Sequence, residues 1–430
     1  MHVFFSGIGG AGANSFALLA QEAGYDVSGS DAKASSTIDY LKKRGLNNIY
    51  ISQTAEAIAA FHKVHPIDKF VYSSALPLTD RHHPELEFCR QNGIPALKHD
   101  DFLAEFIKER ALKMIAVAGT HGKSTATAMA IWLAQQFDLK ASWSIGAKLN
   151  FAQTGHFEPN GKYLICETDE FDRKFLRFYP AVSIITGLDW DHPDIYPTRE
   201  SYYQAFGEFI DQSTITYLWH DDAEKLALEA AGNLKILDER DPGIDLKVKL
   251  PGRVNRLDAW LTAQALQPVI NKPFEDLLAK LNDFPGVTRR FERLAPNLYT
   301  DYAHTPPKIR GALQLAHETA GDNVVVVYDG LHNTRQHFFK DELAGLFNSV
   351  KHLYIVPSYL AREDPNLELL TPEKILDLLS NSVKSKAEAA GLDSNLKAAI
   401  QKHIAGGDLV LCLSAGGAGS LDEWLRREFN

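Results

Sequence analysis
The chain has 430 residues, 45% of them apolar and 23% charged, and a formal net charge of −10. That length holds two or three domains with cores of their own, and the charge argues against nucleic acid as a main partner while leaving room for a local basic pocket around an anionic substrate. Cys89, Cys166 and Cys412 lie far apart without metal-ligand spacing, the opening MHVFFSGIGG has no basic leader, and no run approaches the ~20 apolar residues of a membrane span; a cytoplasmic protein with no membrane partner is expected.

Residues 1–108 read as a first α/β domain. Strand VFF leads into GIGGAG at Gly7–Gly12, a helical run closing at Gly24, and a second strand, YDVSGSD, ending in Asp31. This is a βαβ unit of nucleotide-binding type, in which Gly7, Gly9 and Gly12 meet the G-x-G-x-x-G pattern and Asp31 sits where a ribose or uridine hydroxyl is held. A Gly-rich turn that only lets helix and sheet pack closely is the alternative. KFVYSSALP reads as a further strand with Ser73 and Ser74 at its end.

Residues 109–284 form the expected central domain. The stretch IAVAGTHGKSTATAMA, residues 115–130, is a buried strand, a tight turn and a helix start. Such a turn makes an anion cradle, because free backbone N–H groups and the positive end of the helix dipole converge there. Lys123 adds a point charge for the outer phosphates, and Ser124 is placed to bind Mg²⁺. Val117 stands where the general phosphate-loop pattern has its first Gly, so the loop is a shortened variant. KYLICETDEFD is a strand running into Glu167, Asp169, Glu170 and Asp172, the hard oxygen ligands a Mg²⁺ site needs, with Glu167 favoured as first off the strand. AVSIITGLDWDHPDIYP is another, ending in Asp189, Asp191, His192 and Asp194, and His192 is placed to hold a second metal. A helix is expected over 199–211, and LPGRVNRLDAWLTAQAL starts with a turn whose helix supplies Arg253 and Asn255.

Residues 285–430 read as a third α/β domain, since strand and helix keep alternating. FPGVTRRFERL sets Arg289 and Arg290 beside an aromatic, and one of them can reach phosphates from another domain. Asp301, Tyr302, His304 and Thr305 follow a short strand, with Pro306 opening a helix. VVVVYDGLHNTRQHF ends in Asp329, His332 and Arg335, and HLYIVPSYLARED in Tyr359, Arg362 and Glu363.

In order along essentially the whole chain, GIGGAGA, GSD, SSAL, GTHGKST, ETDEFD, DHPDIY, GRVN, RRF, DYAHTP, YLARED and SAGGAGS resemble the motifs of the Mur ligases, the ATP-dependent amide-forming enzymes of peptidoglycan synthesis. The resemblance implies a Rossmann-like first domain, a P-loop ATPase-like centre and a Rossmann-like third domain. It implies ATP phosphates on Gly119, Thr120, His121, Gly122, Lys123, Ser124 and Thr125. One Mg²⁺ would lie on Ser124 and Glu167 and a second on His192, with Asn255 toward the adenine and Arg289 or Arg290 at the γ-phosphate. A UDP-sugar would lie on Gly9, Gly10, Ala11 and Gly12 with Asp31, Ser73 and Ser74, reaching His192. His304, Arg335, Tyr359 and Arg362 would line the amino-acid side, and Lys123, Glu167, His192, Arg290 and His304 would carry the catalysis.

The chain departs from the family pattern at Ala13, usually Met; at Val254, usually His; at Asp258, an Asn; and at Gly187, where an Asn often stands. The later ligases carry a modified Lys after the DH motif, and no Lys lies between Lys174 and Lys225. That favours the branch adding L-alanine to UDP-N-acetylmuramate through an acyl phosphate, which serves cell-wall growth, shape and division, or the branch that recycles muropeptides by adding a tripeptide. From other classes, the alternatives are a non-catalytic nucleotide-binding relative and a dinucleotide oxidoreductase. A monomer or homodimer is expected, with the third domain closing to bring in the amine and exclude water.

Overall fold
The computed structural model describes residues 1–430 except 75, 78–79, 193–194, 230–231, 332, 361–362, 418 and 430, with the backbone alone at 11 and 331. It has three sheets with helices between their strands, the three-domain α/β architecture expected. The first sheet runs His2–Ser6, Asp26–Ser30, Ile49–Tyr50, Lys69–Tyr72 and Ala96–Lys98, wholly parallel, in the spatial order 3-2-1-4-5 counted along the chain. That order reverses direction between the first strand and the fourth, where Ser6 lies in register with Tyr72. Ligands of open α/β sheets gather at the strand ends beside such a reversal.

The second sheet has seven strands. Its middle strand, Lys113–Ala118, pairs in parallel with Tyr163–Glu167 on one side and Val182–Ile185 on the other. Val117 is thereby opposite Glu167, and Ala118 opposite Ile185. The third sheet has six strands, parallel apart from the antiparallel edge pair Glu292–Ala295 and Leu298–Asp301. Its strand Val324–Leu331 shows why a buried parallel strand reads as an unbroken apolar run: Val324, Val326 and Tyr328 enter one core and Val325 and Val327 the other.

By contact the chain divides into two compact units, residues 1–249 with 257–285, and 250–256 with 286–430. The first unit therefore contains two sheets, and one core runs through both, from Val3, Phe5 and Leu19 to Met114, Leu164, Phe175 and Phe206. Polar contacts add to it. Ser144 Oγ donates to Ser15 Oγ (2.8 Å), Thr154 Oγ1 to Asn14 Oδ1 (2.9 Å), and Phe157 N to Glu22 Oε2 (2.8 Å). Gly155 is pressed on the helix Ala11–Glu22 so closely that a Cβ there would overlap the Ser15 carbonyl oxygen. Among the described residues no helix is long and apolar enough to cross a membrane.

Candidate active site
The strand Lys113–Ala118, buried from Met114 onward, delivers the loop at Gly119 directly into the helix Lys123–Gln136. Gly122 precedes that helix at φ +80°, a left-handed conformation that a side chain would strain, and it offers no side chain to cap the first turn. The first-turn N–H groups and the positive end of the helix dipole are thus left for an anion. Thr120 N donates to Gly187 O (2.8 Å), and its hydroxyl donates to the Asp189 carbonyl (2.6 Å) while accepting from Asp189 N (2.8 Å), so the loop is tied to the neighbouring strand end. His121 Nε2 lies 3.1 Å from Asp189 Oδ2. A side chain at 187 would overlap the His121 ring, which accounts for Gly in place of the family's Asn. Thr125 is half-buried on the first helical turn.

Lys123 Nζ donates to Gly119 O (2.5 Å) and to Glu170 Oε2 (2.7 Å). Burial works against its charge, but the Glu170 and Asp169 carboxylates outweigh that and hold its pKa above the usual lysine value. Ser124 Oγ donates to Glu167 Oε1 (2.8 Å), and the other Glu167 oxygen accepts from Gly146 N (3.0 Å). A second group forms separately: ligand atoms of Asp169, Glu170 and His192 lie within 4.8 Å of one another. The two carboxylates are the hard oxygens that Mg²⁺ takes, and the imidazole nitrogen stands beside them. The expected metal residues thus fall into two groups, Ser124 with Glu167, and His192 with Asp169 and Glu170.

The sequence named Glu170 only as one of four carboxylates behind the favoured Glu167; it is 1% exposed and is the ion-pair partner of Lys123, a pairing the sequence did not show. The signal was its place in the ETDEFD run, three residues after Glu167. It also read Asp258 only as a departure. Asp258 is 1% exposed, and a Cβ built on Gly122 would stand 2.7 Å from its Oδ1. Its Oδ2 has no hydrogen-bond partner among the described residues, and burial pushes its carboxyl well above the usual range.

In the first sheet, Gly9 N donates to Asp31 Oδ2 (2.9 Å) and Gly10 N to Gly7 O (2.9 Å), and the helix starting at Ala11 carries Gly12 in its first turn. Ser73 and Ser74 follow the strand Lys69–Tyr72, and Ser74 is buried.

In the second unit, His304 Nδ1 is 2.8 Å from the Tyr302 carbonyl, which makes that nitrogen the protonated one and leaves Nε2 as acceptor for Arg335 (3.4 Å). Arg289 donates to Ser414 O (3.0 Å) and Gly416 O (2.9 Å) and lies 3.4 Å from Asp422, while Arg290 stands 4.7 Å over the Tyr302 ring. The Tyr359 ring packs on Gly416 and Gly417. Asn255 Nδ2 donates to the Pro251 carbonyl (2.8 Å). Asp194, His332 and Arg362 lie outside the described residues.

A phosphate loop flanked on both sides by carboxylate-bearing strand ends, between a domain with a nucleotide-type glycine turn and a third α/β domain along the chain, defines a nucleotide-phosphate-binding α/β protein. Family models match three stretches: residues 2–111 as "Mur ligase family, catalytic domain", 117–238 as "Mur ligase middle domain" and 289–416 as "Mur ligase, glutamate ligase domain". A UDP-N-acetylmuramate–L-alanine ligase of a Nocardioides species is 32% identical over 96% of this chain and 93% of its own; one from Saccharopolyspora erythraea is 30% identical over 96% and 90%. Among solved structures, a UDP-N-acetylmuramate–alanine ligase from Thermotoga maritima shares the fold at a TM-score of 0.77 and 23% identity, covering 100% of this chain and 98% of that one. A murein peptide ligase from Psychrobacter arcticus does so at 0.67 and 22%, with the same coverage. The chain belongs to the Mur ligase family.

Proposed function
We propose that this protein joins L-alanine to UDP-N-acetylmuramate at the expense of ATP, in the cytoplasmic assembly of peptidoglycan precursor. The observation that carries the reading is the Lys123 loop with Ser124–Glu167 on one side and Asp169, Glu170 and His192 beside it, in a chain whose relatives of that name align over nine-tenths or more of their length.

A carboxylate is a poor acceptor for an amine because its leaving group would be oxide. In the proposed reaction its oxygen attacks the γ-phosphorus of ATP, the bond to ADP breaks, and an acyl phosphate forms. The amine nitrogen then attacks the acyl carbon, the bond to phosphate breaks, and phosphate and a proton leave. The chain's own residues neutralise charge and align the partners. Lys123 exchanges Glu170 for phosphate oxygens, and the N–H groups after Gly122 cradle them. Ser124 and Glu167 would hold one Mg²⁺ and His192 with its carboxylates a second, each supplying positive charge against phosphate oxygens. Of the two arginines, Arg290 is assigned to the phosphates, because Arg289 is tied to the Ser414 and Gly416 carbonyls. His304, Arg335, Tyr359 and Arg362 are assigned to the amino acid.

The test is phosphate release with ATP, Mg²⁺ and UDP-N-acetylmuramate, offering L-alanine, L-serine, glycine and a muropeptide tripeptide in turn. L-Alanine is expected to give the highest kcat/KM. Turnover with the tripeptide alone would assign the recycling reaction instead, and silence with all four would sink the ligase reading. Lys123→Ala should cut kcat by at least about 10²-fold with the fold intact by circular dichroism; unchanged turnover would remove the phosphate loop from the reaction.

A further inference from the structure
Where the strand order of the first sheet reverses, a buried acid stands directly under the glycine turn. Glu85, in the first turn of the helix Pro84–Gln91, is 1% exposed. Its Oε2 accepts from Ser6 Oγ at 2.6 Å, and Ser6 is the last residue before Gly7. The Ser6 oxygen in turn accepts from Gln53 Nε2 (3.1 Å). The chain Glu85–Ser6–Gln53 therefore braces the point where the first strand becomes the turn. One polar atom nearby is left unsatisfied among the described residues, Ser74 Oγ, buried after the strand on the other side, while Ser30, level with Ser6 on the next strand, adds a second hydroxyl against the Glu85 carboxyl. Nothing in the reaction derived above uses Glu85, and neither the glycine pattern nor the serines pointed to it.

We propose that Glu85 is a positioning residue for the nucleotide-sugar: protonated, it holds Ser6 and so the glycine turn in the form that takes the pyrophosphate, and ionised, it sets a second negative charge against that anion. The inference rests on reading this turn as the pyrophosphate site. The groups facing Glu85 agree with it. Asp31, just after the strand Asp26–Ser30, already holds Gly9 N and works against a charge on Glu85. Gln53 and Ser6 are uncharged. His83, next to the start of its helix, is kept toward neutral by burial, and Cys89 on its own helix carries a thiol pushed up by burial and by Glu85 itself. Burial is the largest influence on Glu85, with the Ser6 and Ser30 hydroxyls opposing and Asp31 adding, and its pKa is raised to about 7. The carboxyl is thus poised to change charge at physiological pH.

A bound pyrophosphate disfavours the ionised form further, so binding above neutral pH takes up a proton, and affinity falls as pH rises by up to about tenfold for each unit by which the ligand raises that pKa. The experiment is titration calorimetry of the full chain with UDP-N-acetylmuramate, whose pyrophosphate diester does not titrate in this range, from pH 6.5 to 9 in buffers of different ionisation heat. The native chain should take up a fraction of a proton near pH 8 and bind more weakly at pH 9 than at 6.5. Glu85→Gln keeps the Ser6 contact without the charge; it should match the native affinity at pH 6.5, hold it at pH 9, and lose the buffer-dependent heat. Glu85→Ala, its fold checked by melting, should bind weakly at every pH because the brace is gone. The same pH profile and buffer heats in native and Gln chains would overturn the role of Glu85 while leaving the turn's assignment standing. No binding by the native chain at any pH would overturn the pyrophosphate reading, and this inference with it.

Discussion
Asp258 shows what one residue costs and supports. Its carboxyl is wedged behind Gly122, out of water, with one oxygen unpartnered among the described residues. A carboxyl whose folded pKa is raised holds its proton in the native state while the unfolded chain releases it near 4, so this group makes stability fall as pH rises from about 4 toward the folded pKa. Asp258→Asn does not titrate and occupies nearly the same volume. Its melting temperature relative to the native chain should therefore climb between pH 4 and pH 8, in contrast to a pH-independent offset. Equal pH slopes would mean that Asp258 is ionised and partnered in solution. At this scale the sequence was informative about Lys123, Ser124 and Glu167, because a turn after a buried strand fixes where the next few side chains go. It was uninformative about what Glu170, Glu85 and Asp258 meet in the fold. Their roles come from partners 47, 79 and 136 positions away along the chain, and no local pattern records such a meeting.

The elements were the most legible level. The expected helix over 199–211 is Arg199–Asp211, opened by a Thr198–Ser201 capping box, and Pro306 opens the helix Pro306–Ala320 as foreseen. The strands that precede functional residues were visible because parallel strands buried on both faces are uninterrupted apolar runs. The short strand Gly155–His156 was not visible: two residues carry no periodicity, and the antiparallel pairing with Ala141–Ser144 that defines them is a tertiary event. Its importance is out of proportion to its length. Gly155→Ala would force a methyl group onto the Ser15 carbonyl and should cost about 1–3 kcal/mol, measured by denaturant unfolding. Substitution of the exposed Lys63 should stay within about 0.5 kcal/mol in the same assay. A neutral Gly155→Ala would mean that the helix can back away from the sheet at no cost.

For the molecule as a whole, composition and alternation announced several α/β domains, and three sheets are present. What they did not announce is that the first two sheets share a core and polar contacts, since the contacts join residues more than 120 positions apart. Heat unfolding should therefore resolve into two transitions, one for residues 1–249 with 257–285 and one for the remainder. A non-hydrolysable ATP analogue with Mg²⁺ at about 100 times its Kd should raise the first by about 2.7 kcal/mol of stability. Scanning calorimetry with three separable transitions would mean that the shared core does not couple the two sheets. The contact at Gly155 has a further consequence. The helix it grips is the one that starts from the glycine turn, and the sheet it belongs to is the one that carries the Lys123 loop. The spacing between the two loops is thereby built in like the marks on a ruler. A donor of phosphoryl groups and an acid-bearing sugar nucleotide, each seated on its own loop, would meet at a separation set by folding before either arrives.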